Sequence, residues 1–227
     1  MAQIPAKART IMSRNQLENT LLRLAQPAVK AQGLEIWGLE ILDGQHMTVR
    51  LFVEVPAMEE EPLEDMQDTD EPAEEIALLS ASVDQCEAIS RQFSLALDAE
   101  DVIDRAYTLE VSTPGFNRIF FRIDQMKPYV GEMVEARMGE LFAPTPDGQK
   151  RRVWKGVLEE VGEESFVLAP ASVDGEGEIT RENSDPVTIP FARARRVSRI
   201  HVFRKPAKPG KGPGKSQGKS QKKSKKS

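Results

Sequence analysis

A chain of 227 residues can hold one large domain or two small ones, and a hydrophobic fraction of 39% leaves part of it outside any core. The single cysteine, Cys86, excludes an intrachain disulfide framework and a thiolate zinc cluster, and no apolar run reaches the ~20 residues of a membrane span. The formal net charge of −5 conceals an asymmetry: ten Lys and Arg and no acid follow residue 203, leaving 21 bases against 36 acids, or −15, for residues 1–203.

Residues 1–13 are mixed in character and predict a disordered N-terminus with no secretory signal, so a soluble cytoplasmic protein is the default. Asn15 caps a helix, with Glu18 three residues later. Leu17, Leu21, Leu24 and Val29 form its apolar stripe, Pro27 interrupts it and Gly33 ends it. Leu34–Leu42 reads as a strand of imperfect alternation, and Asp43-Gly44 as a turn. In the partner strand, His46–Val55, Met47, Val49, Leu51 and Val53 alternate with Thr48, Arg50, Phe52 and Glu54. From Glu54 to Glu75 there are eleven acids, no bases and three prolines, which predicts a disordered acidic insertion over 56–75. Ser82 caps the next helix, Val83–Leu97, where Val83, Cys86, Ile89, Phe93 and Leu97 share a face. Tyr107–Ser112 is a further strand. The order helix, strand, strand, helix, strand predicts an N-terminal α/β domain over 14–124, a three-stranded sheet with two helices on one face.

A sharp corner follows, Ser112-Thr113-Pro114-Gly115, in which proline presets one φ and glycine accepts a positive one. Phe116, Ile119, Phe120 and Phe121 come next, interleaved with Asn117, Arg118 and Arg122. Ile123–Tyr129 is a short helix that Pro128 curtails. Strands then read at Met133–Met138, Val153–Glu160, Ser165–Leu168, Pro186–Ile189 and Val197–Phe203. A turn is predicted over 144–148, an extended hairpin tip over 173–184 and a helical turn over 190–195. This density of short strands predicts a small SH3-like or Sm-like β-barrel over 125–203. Residues 204–227 are almost entirely Lys, Gly, Pro, Ser and Gln and predict a disordered polybasic tail. The fold class is therefore α+β with two domains.

The two histidines, His46 and His201, lack metal-ligand spacing, and there is no nucleophile elbow or dinucleotide fingerprint. No catalytic residue, metal or cofactor is predicted. The remaining chemistry suits a charged polymer: Arg118 and Arg122 beside phenylalanines; Lys150, Arg151 and Arg152 with Trp154 and Lys155; Arg193, Arg195, Arg196 and Arg199; and the tail. The bland alternative for each cluster is a solvated, ion-paired face.

Glu110-Val111-Ser112-Thr113-Pro114-Gly115-Phe116-Asn117-Arg118 resembles the signature of the ribosome maturation factor RimP family, Glu-Val-Ser-Ser-Pro-Gly-x-Asp-Arg. Thr113 and Asn117 depart from it, as does Ile119, where the family commonly has proline next. Tyr129-Val130-Gly131-Glu132 resembles the family's turn into its second domain. The resemblance implies a non-catalytic assembly factor for the bacterial small ribosomal subunit, with an N-terminal α/β domain and a C-terminal β-barrel. It implies small-subunit rRNA and a basic ribosomal protein near the decoding region as partners. A monomer without membrane contact is expected. On this reading Ser112, Pro114 and Gly115 set the corner, Asn117 fixes it or donates to RNA, and Arg118 points outward to grip phosphate or carboxylate. Arg122, Lys150, Arg151, Arg152, Arg193, Arg195 and Arg196 complete the RNA-binding set. The other reading is a general Sm-like RNA-binding module without ribosome specificity.

Overall fold

The computed structural model describes residues 14–56, 80–144, 148–175 and 177–202. The predicted disordered terminus, the acidic insertion after Pro56, residues 145–147 of the predicted turn and the polybasic tail lie outside the described residues.

Helix α1 spans Arg14–Ala31. It begins before Asn15, which therefore stands in the first turn and not at the cap. Leu21, Ala25, Ala28 and Val29 are buried at spacings of three and four, and the helix runs through Pro27. It closes with the Gly33 N–H donating to the Lys30 carbonyl (3.0 Å) and the Leu34 N–H to the Val29 carbonyl (3.2 Å). That pair of bonds, with the Gln32 N–H also on the Val29 carbonyl, satisfies carbonyls of the last turn.

Strands β1 (Glu35–Leu42) and β2 (Met47–Glu54) form an antiparallel hairpin. Their register slips between Ile36 and Gly38, so Trp37 is an extra residue, a β-bulge. This explains the imperfect alternation in the sequence. Helix α2 (Val83–Glu100) starts at a capping box: Ser82 Oγ accepts the Gln85 N–H, and Gln85 Oε1 accepts the Ser82 N–H. Strand β3 (Tyr107–Ser112) lies parallel to β2, giving the sheet order β1-β2-β3. A parallel pair needs a long crossover, and α2 lies within it. Met47, Val49, Leu51 and Val53 of β2 pack with Leu21 and Val29 of α1 and Ile89, Phe93 and Leu97 of α2. Both helices thus cover one face, as the sequence predicts.

The second sheet begins with a two-residue strand absent from the sequence reading, β4 (Ile119–Phe120). A 3₁₀ turn at Ile123–Tyr129 leads to β5 (Met133–Phe142), β6 (Arg151–Val161) and β7 (Ser165–Val173). The hairpin tip predicted over 173–184 contains a strand, β8 (Ile179–Arg181), which pairs with Ala171–Val173. Then come β9 (Val187–Pro190), a 3₁₀ turn at Phe191–Arg193 and β10 (Ala194–Arg199). The last strand therefore ends before His201, four residues earlier than Phe203. The order is β4-β10-β5-β6-β7-β8, with β9 also on β7 and every pair antiparallel.

Its core includes Met126, Leu158, Phe166, Leu168, Ile189 and Val197, and it takes in Trp37 and Phe52 from the first sheet. Those two side chains leave the face opposite the helices. The bulge re-aims Trp37, and Phe52 points the other way from Leu51 and Val53. The face that the helices leave open is therefore packed against the second sheet.

Candidate functional site

The corner after β3 has Gly115 at φ +69°, a conformation that favours glycine. The turn is stitched to the segment after β10. Asn117 Oδ1 accepts the His201 N–H (2.7 Å), the Phe116 ring lies 5.0 Å from the His201 ring, and the Arg199 N–H donates to the Arg118 carbonyl (2.9 Å). Asn117 thus spends its oxygen fixing the turn.

Arg118 does not face outward. Its side chain is only 21% exposed, and its guanidinium donates to Glu54 Oε2 (3.1 Å) and Tyr129 Oη (2.5 Å). It also lies over the Trp37 ring (4.8 Å) and the Tyr129 ring (5.4 Å). Glu54 ends β2, Trp37 is the β1 bulge and Tyr129 ends the first 3₁₀ turn, so one guanidinium joins both sheets. The physical reason for the correction is local: a carboxylate and two ring faces converge where solvent was expected. Burial raises the Glu54 carboxyl above its ordinary range, and the attraction of Arg118 only partly offsets it. Burial likewise raises the Tyr129 phenol.

Further contacts fasten the junction. Gln125, buried at 5% exposure, accepts the N–H groups of Phe121 (2.8 Å) and Arg122 (3.0 Å) through Oε1 and donates through Nε2 to the Trp37 carbonyl (2.7 Å). Trp37 Nε1 donates to the Ile119 carbonyl (2.6 Å). Charges alternate across the strands: Glu110 on β3 pairs with Arg50 on β2 (2.6 Å), Arg50 with Glu40 on β1 (3.5 Å), and Glu40 with Arg196 on β10 (3.2 Å). Arg199 also sits over the Tyr129 ring, at 5.2 Å, and makes a two-pronged bond to Glu132 (2.5 and 2.8 Å).

The other sequence-predicted residues divide into two sets. Arg122 pairs with Asp124 (3.4 Å), Arg151 with Glu182 (3.0 Å) while stacking on Trp154, and Arg193 with Glu140 (3.1 Å). Lys155 and Arg137 share the carboxylate of Glu135. Burial pushes that carboxyl up, but the hydrogen bonds and charges of Arg137 and Lys155 together outweigh it and hold it below the usual range. Arg152 and Arg195 are exposed and have no carboxylate in ion-pair distance among the described residues, and the same holds for Lys150.

Arg152, Arg195 and Arg196 meet at a groove of about 750 Å³ between the outer edge of β1 and strands β10, β5 and β6. Arg137, which the sequence reading did not single out, joins them there; Lys150, Arg151, Arg193 and Arg122 do not line it. The reading also missed Trp37, Glu54, Gln125 and Tyr129. A tryptophan beside a glycine at the break in strand alternation was the available signal for the first. The partnership of Glu54 with Arg118 spans 64 residues and left no local trace. Among the described residues no three His, Cys, Asp or Glu side chains converge as a metal site, and no helix is long and apolar enough to cross a membrane.

Residues 24–117 match the family model described as the RimP N-terminal domain, which ends at the Asn117 corner. The ribosome maturation factor RimP of Desulfovibrio desulfuricans is 45% identical to this chain, with 88% of this chain and 86% of the relative covered. The chain belongs to the ribosome maturation factor RimP family. Two further RimP relatives are similar along most of the chain. That of Nitratidesulfovibrio vulgaris strain DP4 is 36% identical over 86% of this chain and 96% of its own, and that of Lawsonia intracellularis 27% identical over 87% and 93%. Coverage of this extent takes in both sheets. Within this RimP-family chain, the signature residues Asn117 and Arg118 make bonds to their own protein.

Proposed function

We propose that the protein is a non-catalytic assembly factor that matures the bacterial small ribosomal subunit in the cytoplasm. The observation that carries this reading is the 45% identity to a protein named ribosome maturation factor over nearly the whole of both chains. The factor works as a monomer of two domains, residues 14–124 and 125–203, the second a small SH3-like barrel wrapped around the core that includes Phe166 and Ile189. It holds immature rRNA, together with a basic ribosomal protein near the decoding region, and leaves when mature contacts form.

On this reading the residue roles divide. Arg118 and Asn117 fix the angle between the two units, and the outward-facing contacts fall to Arg152, Arg195 and Lys150. Arg151, Arg193, Arg196 and Arg122 contribute once RNA phosphate competes for the carboxylates they now hold. An acidic body with one basic groove suits a particle that offers RNA and basic protein side by side.

The test is co-sedimentation of the purified protein with immature small subunits and with mature ones at two salt concentrations. Preferential attachment to the immature particle is expected. Attachment to unrelated RNA as tight as to the subunit would favour a general RNA-binding module instead.

A further inference from the structure

We infer that the groove between β1 and β10 takes the backbone of a single-stranded RNA segment. The inference rests on the ribosomal reading above but names a site and a ligand form that the reading leaves open.

Residues 1–203 carry a formal charge of −15, and among the described residues every arginine from residue 80 to residue 202 has a carboxylate in ion-pair distance except Arg152 and Arg195. In a protein with acids to spare, two exposed guanidinium groups without partners are the departure that needs a reason. Both face the same groove, one from β6 and one from β10, with Arg137 and Arg196 beside them. Two of the four are already neutralised internally, by Glu135 and Glu40. Glu18 also lines the groove, so four arginines face two acids there; Arg152 and Arg195 are left to meet an anion, and guanidinium matches phosphate with paired hydrogen bonds.

The walls select the form of that anion. Phe121 and Phe191 line the groove with the arginines, and Leu42 and Val153, each 40% exposed, add apolar surface to it. Alternating cations and aromatic faces are how proteins hold a single strand, phosphates on the former and bases on the latter. A duplex keeps its bases stacked inside and has no use for such walls. A basic protein segment is repelled by the same arginines. An acidic peptide is the remaining competitor, and the experiment includes it.

Full-length protein is titrated against a labelled oligouridylate of about a dozen nucleotides over a salt series. The wild type is compared with Arg152→Ala/Arg195→Ala and with Arg91→Ala/Arg181→Ala, a control pair remote from the groove. Each phosphate contact on a single strand contributes about 0.7 to the slope of log K against log salt, so the groove pair should flatten it by about 1.4. Its affinity should fall roughly tenfold at low salt, with the control pair near wild type and with the melting temperature of all three alike. The wild type should also favour the single strand over a duplex of equal length. An unchanged slope, an equal loss in the control pair, or displacement of the RNA by polyglutamate at lower concentration would each overturn the inference. Sedimentation of wild type with immature subunits separates the two levels. If sedimentation holds but the slope is unchanged, the groove is wrong and the ribosomal reading stands; if sedimentation fails but the slope flattens, the reverse is true.

Discussion

Removal of the Arg118 side chain gives the sharpest test of what the corner does. Its partners Glu54 and Tyr129 and its ring contact Trp37 all belong to the junction. The ion pair, at 21% and 17% side-chain exposure, lies between the exposed limit of about 0.2–1 kcal/mol and the fully buried one of about 3–5 kcal/mol. About 2 kcal/mol is a fair value there, and the two ring contacts add about 0.5 kcal/mol each. Arg118→Ala should therefore cost about 3 kcal/mol, or roughly 6–12 °C in melting temperature for a chain of this size. The partner substitution is not symmetric. Burial outweighs Arg118 in setting the Glu54 carboxyl, so its ionised form already weighs against folding, and Glu54→Gln should cost less than about 1 kcal/mol. The sign of the pH dependence follows. A carboxyl raised in the folded state favours folding while protonated, and that contribution is lost as pH rises through its folded value. In Arg118→Ala the carboxyl has lost its cation and rises further, so the deficit against wild type should shrink as pH falls from neutral toward about 5. Denaturant melts of the three proteins across that range measure all of this. A wild-type midpoint for Arg118→Ala, combined with loss of attachment to immature subunits, would refute the clasp and restore an outward grip.

Gly38→Ala should destabilise by about 1–3 kcal/mol: a Cβ there would stand 2.0 Å from Cδ2 of Phe121, whose ring is wedged against Phe52 at 5.8 Å. A thermal melt would check it, and a neutral result would mean that the ring slides freely. Ser82→Ala should cost about 1 kcal/mol through loss of the capping box on α2, read from the denaturation midpoint. Glu135 titrates in the opposite sense to Glu54. Its lowered carboxyl stabilises above the ordinary glutamate range, and that stability is lost as pH falls through its folded value, so Glu135→Gln should flatten the acid limb of the stability profile.

The elements of the first sheet were legible because their signals are local. The Met47–Val53 alternation, the Ser82 cap and the Gly33 stop each involve residues within a few positions of one another. The second sheet was legible in kind but less so in detail. Strand β4 is two residues long and exists because β10, nearly eighty residues later, gives it a partner. Strand β8 pairs across a turn rich in Gly and Glu that lacks strand propensity of its own. The candidate site was the least legible part. Arginine clusters read alike whether their charge is spent or free, and only the fold assigns a carboxylate to Arg151 and Arg193 and, among the described residues, none to Arg152 and Arg195.

That distinction changes what the family signature encodes in this chain. Glu110 begins the charge chain that reaches Arg196, Gly115 turns the corner, Asn117 ties it to the segment after β10, and Arg118 closes on Glu54 and Tyr129. Each of these contacts is internal, and the Glu40–Arg196 pair and the Arg118 clasp join one sheet to the other. A hinge at this junction would have to break the Arg118 pair, strip Gln125 from the Trp37 carbonyl and part Phe52 from Phe121 together, several kcal/mol for no new contact. The two units therefore move as one, and the groove whose walls they share keeps its width. A fixed groove selects its ligand by shape as well as charge. Loosening the junction should consequently weaken groove binding even where every groove arginine is intact, because the corner, together with Gln125 and the Glu40–Arg196 pair, holds the wall that carries Leu42 against the wall that carries Arg195.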